Sequence, residues 1–200
     1  MLDLVRWFIV SDKYCDYEPL TTCIQGAQGV FHIGTSCLMC NFEGTWSIWT
    51  EKGLHYLIEA YKKLNTDKKL VIAGDSSDTD KYVRRLKELA AGNPNIIFTG
   101  FVSGRLLDEL YSNAYAYVLP SNLEGMPLTL LEAMSYGNAV IGSDIREIAD
   151  VVEDKAMLFR KGDISDLADK MQFFSDHPEI VKEYKEKSAE FICGKYNWED

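Results

Sequence analysis

Residues Tyr115-Ala-Tyr-Val-Leu-Pro-Ser-Asn-Leu-Glu-Gly-Met-Pro-Leu-Thr-Leu-Leu-Glu-Ala-Met-Ser-Tyr-Gly137 pass from one apolar run, through a polar turn, into a second apolar run. Tyr115 to Leu119 reads as a short buried strand that stops at Pro120, because proline has no N–H to give a central ladder. Leu128 to Tyr136 predicts a helix, with Pro127 at its favoured first position and Gly137 just past its end. The polar loop between them carries Glu124 and Gly125, and Glu132 follows on the helix. Backbone N–H groups at such a helix start are free to hold an anion or a hydroxyl.

The same alternation extends outward on both sides. Leu54, Leu57, Ile58, Tyr61 and Leu64 recur at helical spacing, and Lys69 to Gly74 reads as a strand ending in a glycine turn. Tyr82, Val83, Leu86 and Leu89 form the apolar stripe of a helix that stops near Gly92-Asn93-Pro94. Ile96 to Phe98 predicts a strand, Leu106 to Tyr111 a helix and Ala139 to Ile141 a strand, and helices fill most of Asp163 to Ile192. Strands alternating with helices at this spacing imply right-handed βαβ units and an α/β doubly wound parallel sheet with helices on both faces. Ligands of such sheets bind where strands end and helices begin. The junctions of interest are therefore Thr50 to Gly53, Gly100 to Gly104 and Pro120 to Pro127.

Residues 1–50 are different. They hold four of the five cysteines (Cys15, Cys23, Cys37, Cys40) and three of the four tryptophans, with poor periodicity apart from a strand suggested around Trp46 to Trp49. The expected division is an atypical segment over 1–50, of undetermined fold, and one α/β domain over 51–200. The opening MLDLVRWFIV is interrupted by Asp3 and Arg6 and reads as neither signal peptide nor anchor.

The 200 residues carry a formal net charge of -10. That charge excludes a broad basic face for nucleic acid and disfavours an electrostatic grip on anionic membranes. It leaves room for a small anionic ligand held by a few local groups. An odd number of cysteines argues for a reducing compartment over a disulfide framework, with the cytoplasm as the default. Cys37-Leu-Met-Cys40, with Cys15, Cys23 and His32 nearby, is a weak zinc signal whose spacings match no common module.

Two carboxylates near a parallel-sheet edge suit the recognition of vicinal hydroxyls. Taken as a bare pair, Glu124 and Glu132 are more readily read as a first-turn acid and a solvated helix residue, because such pairs are common. Their frame narrows the choice. Glu, seven residues, Glu, within PSNLEGMPLTLLEAMSYGNAVIGSD, resembles the donor-site signature of the retaining glycosyltransferases of family 4 (glycosyl transferases group 1). Those enzymes have the GT-B fold, two Rossmann-like domains facing across a cleft. The resemblance runs from Glu51 to the end of the chain. It takes in Glu51-Lys52-Gly53, Leu70 to Gly74, Ile97 to Val102, Gly162-Asp163 and Tyr196 to Glu199.

The resemblance implies that residues 51–200 form the C-terminal, Rossmann-like, nucleotide-sugar-binding half of such an enzyme. It assigns Glu124 to catalysis, contacting the donor sugar's hydroxyls with help from backbone amides at Gly125, Met126 and Leu128. Glu132 would hold the ribose hydroxyls and Lys52 the diphosphate, while Phe101 and Val102 would lie against the nucleobase. The reaction implied is transfer of a hexose-type sugar from a nucleotide sugar to a glycan or lipid-linked acceptor, as in polysaccharide biosynthesis. No cofactor or divalent metal is expected. The acceptor, any peripheral membrane contact and the family's catalytic histidine would come through an N-terminal domain absent from this chain, or through a partner chain. Binding without turnover is therefore the expectation for the chain alone.

Departures accompany the match. The family's phosphate-clamping arginine, four residues before Glu51, is Ser47 here, and the lead-in Phe42 to Trp49 is not smoothly apolar. A non-catalytic nucleotide-binding or scaffold module and a nucleotide-sugar epimerase stay open as alternatives. His55 is expected at the surface or an interface, His177 at a helix start and Cys193 partly buried. Asp144, Glu147, Asp150, Glu153 and Asp154 are expected to form a solvated acidic face.

Overall fold

A strand covered on both faces needs an apolar residue at every position, not at every second one. Ala116–Leu119 and Val140–Ser143 are buried along their whole length, and Lys69–Ala73 from Leu70 onward. In the computed structural model, which describes residues 30–33, 51–74 and 80–196, these segments lie inside a six-stranded sheet. The chain runs β1 (Val30–Ile33), α1 (Leu54–Tyr61), β2 (Lys69–Ala73), α2 (Asp80–Ala90), β3 (Ile96–Gly100), α3 (Arg105–Asn113), β4 (Ala116–Leu119) and α4 (Leu128–Ser135). It continues through β5 (Val140–Ser143), α5 (Arg146–Val152), β6 (Met157–Phe159), α6 (Ile164–Asp176) and α7 (Pro178–Lys195).

The spatial order is β3-β2-β1-β4-β5-β6, with every neighbouring pair parallel. From the centre, the chain builds outward to β3 on one side and to β6 on the other. This is the doubly wound Rossmann order, whose reversal opens a crevice at the carboxyl ends of the two central strands. Those strands are β1 and β4, paired Phe31 to Ala116, His32 to Tyr117 and Ile33 to Val118. The sheet thus draws a central strand from the segment for which sequence gave no fold. The strand suggested around Trp46 to Trp49 lies outside the described residues, as do Cys15, Cys23, Cys37, Cys40 and the side chain of His32.

Helices cover both faces. Leu54, Leu57, Ile58 and Tyr61 bury one stripe of α1, which packs with α2 and α6, while α4 packs with α7. Thr129, Leu130, Leu131, Ala133 and Met134 are all buried on α4. Asn138, itself buried, donates from Nδ2 to the carbonyls of Tyr111 (3.0 Å) and Ala133 (2.9 Å). It thereby satisfies groups that the ends of α3 and α4 leave open. Asp163 caps α6, its carboxylate accepting from the N–H groups of Ser165 and Asp166.

The acidic stretch after Asp144 forms the solvated face expected of it, with Asp144, Asp150, Glu153 and Asp154 exposed. It also contains a helix, α5, because Ile148, Val151 and Val152 share one buried face beneath the charges. Asp150 pairs with Arg146 (3.2 Å) and Glu153 with Lys195 (2.7 Å). Two sequence expectations change. Cys193 is exposed, not partly buried, because its neighbour Ile192 takes the inward position near the end of α7. Pro127 is not the first residue of α4 but the residue before it.

Candidate functional site

The site forms where the chain entering α1 lies across the end of β4. Gly53 precedes α1 with φ 67°, and a Cβ there would stand 2.0 Å from the Pro120 carbonyl oxygen. Only glycine permits both the left-handed backbone and the close approach. The Asn122 N–H donates to the Glu51 carbonyl at 2.5 Å, tying the two segments together again. Lys52 and Glu124 are held at this junction.

Lys52 Nζ lies 2.9 Å from both Oε1 and Oε2 of Glu124. The two side chains are only 8% and 2% exposed. Ions this far from water must be matched by partners, and the carboxylate has a second. The Ser121 hydroxyl donates to Glu124 Oε1 at 2.6 Å. The Ser143 hydroxyl, from the end of β5, donates to the Ser121 carbonyl and fixes that turn from below. Ser121 and Ser143 are wholly buried.

Glu132 is half-buried on α4, and its Oε2 accepts from the Tyr111 hydroxyl at 3.0 Å. Tyr111 belongs to a stack of tyrosines. Its ring lies 6.5 Å from Tyr117 and 5.1 Å from Tyr136, at interplanar angles of 30° and 20°. The Tyr117 hydroxyl donates to Thr129 Oγ1 (2.7 Å) and the Tyr136 hydroxyl to Asp108 (2.8 Å). The stack gives Tyr111 a fixed ring plane and Glu132 a fixed donor.

The loop between these carboxylates turns outward. Gly125 and Met126 are exposed, and Pro127 has φ -79° and ψ 71°. That is inverse γ-turn geometry, closed by the Leu128 N–H donating to the Met126 carbonyl at 2.9 Å. Its ψ is what keeps Pro127 out of the helix. The Leu128 amide is thus engaged within its own loop, whereas the resemblance assigned it to a donor. At the end of β3, Phe101 is exposed and Val102 buried.

The structure therefore brings Lys52 and Glu124 into direct contact and holds Glu132 on the helix that follows. Phe101 and Val102 sit after β3, on the same carboxyl edge of the sheet. Ser121, Ser143 and Tyr111 escaped the sequence reading. Ser121 had a local signal, standing three residues before Glu124 in a polar turn. Ser143 and Tyr111 had none, because their partners are distant in the chain. His55 is half-buried, with Nδ1 3.0 Å from the Tyr82 hydroxyl. His177 sits at the start of α7, as expected. Among the described residues, no three His, Cys, Asp or Glu side chains are grouped to hold a metal ion, and no helix is long and apolar enough to cross a membrane.

Comparison with known proteins follows the same geography. The family model for glycosyl transferases group 1 matches residues 47–191. The chain is 31% identical over 156 residues to sulfoquinovosyl transferase SQD2 of Arabidopsis thaliana, covering 76% of this chain and 29% of that protein. It is 28% identical over 153 residues to the serotype-specific mannosyltransferase WbdA of Escherichia coli, covering 74% and 19% respectively. The chain thus spans less than a third of either relative. Among solved structures, HepE of Anabaena in complex with UDP-glucose superposes with a TM-score of 0.73 at 17% identity, covering 90% of this chain and 47% of that one. Sucrose-phosphate synthase of Thermosynechococcus elongatus gives 0.65 at 23% identity, covering 75% and 39%. These superpositions share the α/β fold of one half of a GT-B enzyme.

Proposed function

Because this chain belongs to the glycosyl transferases group 1 family, we propose that residues 51–200 bind the nucleotide-sugar donor of a retaining glycosyl transfer. The observation that carries this reading is the meeting of Lys52 and Glu124 at the reversal point of the sheet. One cation and one carboxylate stand there at the place where doubly wound folds bind nucleotides.

In this reading Lys52 meets the diphosphate and stabilises the charge that develops on it as the sugar departs, a task for which a compact ammonium is suited. Glu124 is the catalytic residue, contacting the sugar hydroxyls and orienting the anomeric carbon toward attack. Glu132, held by Tyr111, accepts from the ribose hydroxyls. The exposed ring of Phe101 and the backbone at Val102 lie against the base. Gly125 and Met126 line the approach to the sugar, with the Leu128 amide joining them if the Pro127 turn opens. The donor's own charge is met by side chains and helix dipoles, without a divalent metal. A hexose-type sugar would pass to a glycan or lipid-linked acceptor held by a second domain or a partner chain.

Calorimetric titration of the chain with UDP, GDP and ADP and their common sugar conjugates tests this reading. Saturable binding to one nucleotide is the expected result and names the donor class. A folded chain that binds none of them would defeat the proposal and favour a scaffold role.

A further inference from the structure

We propose that the Lys52–Glu124 pair makes the site select a nucleotide sugar over the free nucleoside diphosphate. This inference rests on the donor-site reading above and concerns the discrimination that the pair imposes within it.

The pair is close to neutral as a unit. Both carboxylate oxygens of Glu124 lie 2.9 Å from the Lys52 ammonium, so an arriving diphosphate competes with a carboxylate already in place. If Lys52 turns to the phosphates, Glu124, whose side chain is only 2% exposed in the paired arrangement, loses both contacts. Among the described residues, Ser121 at 2.6 Å is then the side-chain donor left to it. A buried carboxylate short of donors and close to a new anion is costly. A sugar attached to the diphosphate removes that cost, because its hydroxyls donate to Glu124 as Lys52 leaves. The free diphosphate carries no such hydroxyls. The same relation favours departure of the nucleoside diphosphate after transfer, because Lys52 and Glu124 re-pair when it leaves.

The test uses the full 200-residue chain, titrated calorimetrically with UDP, UDP-glucose, GDP and GDP-mannose. The wild type is compared with Glu124→Gln and Ser121→Ala. The expected wild-type preference for the conjugate over its own diphosphate is about tenfold or more, the worth of a hydrogen bond or two to a charged acceptor. Glu124→Gln keeps the shape and removes the charge. It should tighten binding of the free diphosphate roughly tenfold and bring the preference close to one. Ser121→Ala should act the opposite way, widening the preference, because Glu124 is then still shorter of donors. A Glu124→Gln variant that keeps the wild-type ratio, or weakens both ligands equally, overturns the inference. If that variant does not fold, a ratio that Ser121→Ala leaves unchanged or narrows overturns it. A wild type that binds none of these ligands, nor ADP and its sugar conjugates, overturns the donor-site reading and this inference with it. Binding with an unaltered ratio defeats the inference alone.

Discussion

Gly53 rests directly against the main chain of Pro120, so closely that a Cβ on it would stand 2.0 Å from the Pro120 carbonyl oxygen. Gly92 also has a positive φ, of 82°, but nothing lies within 4 Å of its Cβ position. The two glycines separate backbone strain from collision. Gly92→Ala should cost about 1–2 kcal/mol for the left-handed backbone alone. Gly53→Ala should cost roughly 3 kcal/mol or more, because overpacking adds to the same strain. Urea unfolding of both variants measures the difference, and equal losses would show that the Pro120 contact contributes nothing.

Lys52 and Glu132 are assigned to opposite ends of the same nucleotide, the diphosphate and the ribose. A lost hydrogen bond to a charged partner costs about 1.5–3 kcal/mol. Lys52→Ala and Glu132→Ala should therefore each weaken nucleotide binding roughly ten- to a hundredfold. Calorimetry on variants with native far-UV circular dichroism checks this. Unchanged affinity in both would remove these residues from the site.

In the proposed site Tyr111 acts through Glu132, to which its hydroxyl donates at 3.0 Å. Tyr111→Phe retains the ring stack and deletes that donor. The expected loss for a ribonucleoside diphosphate is about three- to tenfold, the value of one net hydrogen bond. A purely structural role would weaken ribo- and 2′-deoxyribonucleotides alike. A positioning role narrows the gap between UDP and 2′-deoxy-UDP, and that ratio is the deciding measurement.

His55 gives the stability a pH dependence of known sign. Burial, and next the positive charge of Arg85, hold its pKa below the ordinary 6.5, while Glu59 pulls weakly the other way. The unfolded chain therefore takes up a proton near pH 6.5 that the folded chain refuses. Stability should fall as pH drops from 6.5 through the lowered folded value, and this loss should be absent above 6.5. Urea midpoints measured across that range should flatten in His55→Gln. Titration of the His55 ring by NMR at or above 6.5 would contradict the assignment.

The regular half of the fold was legible because its strands are covered on both faces and need uninterrupted apolar runs. Leu70 to Ala73 and Ala116 to Leu119 satisfy that need in full view. β6 escaped because three residues show no period. α5 escaped because its charges drew the reading, although Ile148, Val151 and Val152 stood at helical spacing. In the site, Glu124, Glu132 and Lys52 could be named because their motifs are local. Their pairing could not be read, because Lys52 and Glu124 meet through the strand order of the sheet and not through the spacing of residues. The Tyr111–Glu132 bond was hidden for the same reason, joining α3 to α4 across intervening sequence.

Lys52 and Glu124 are 72 positions apart in the chain, with α1, β2, α2, β3, α3 and β4 all lying between them. A chain in which β1 and β4 have not come together cannot assemble their contact, so a ligand that needs both recognises the folded centre of the sheet. Such a ligand acts as a clamp across the centre of the molecule and raises the melting temperature of the whole domain. At a hundred times its dissociation constant the gain is about 2.7 kcal/mol. Thermal unfolding in the presence of candidate nucleotides thus becomes a screen for the donor that needs neither acceptor nor turnover.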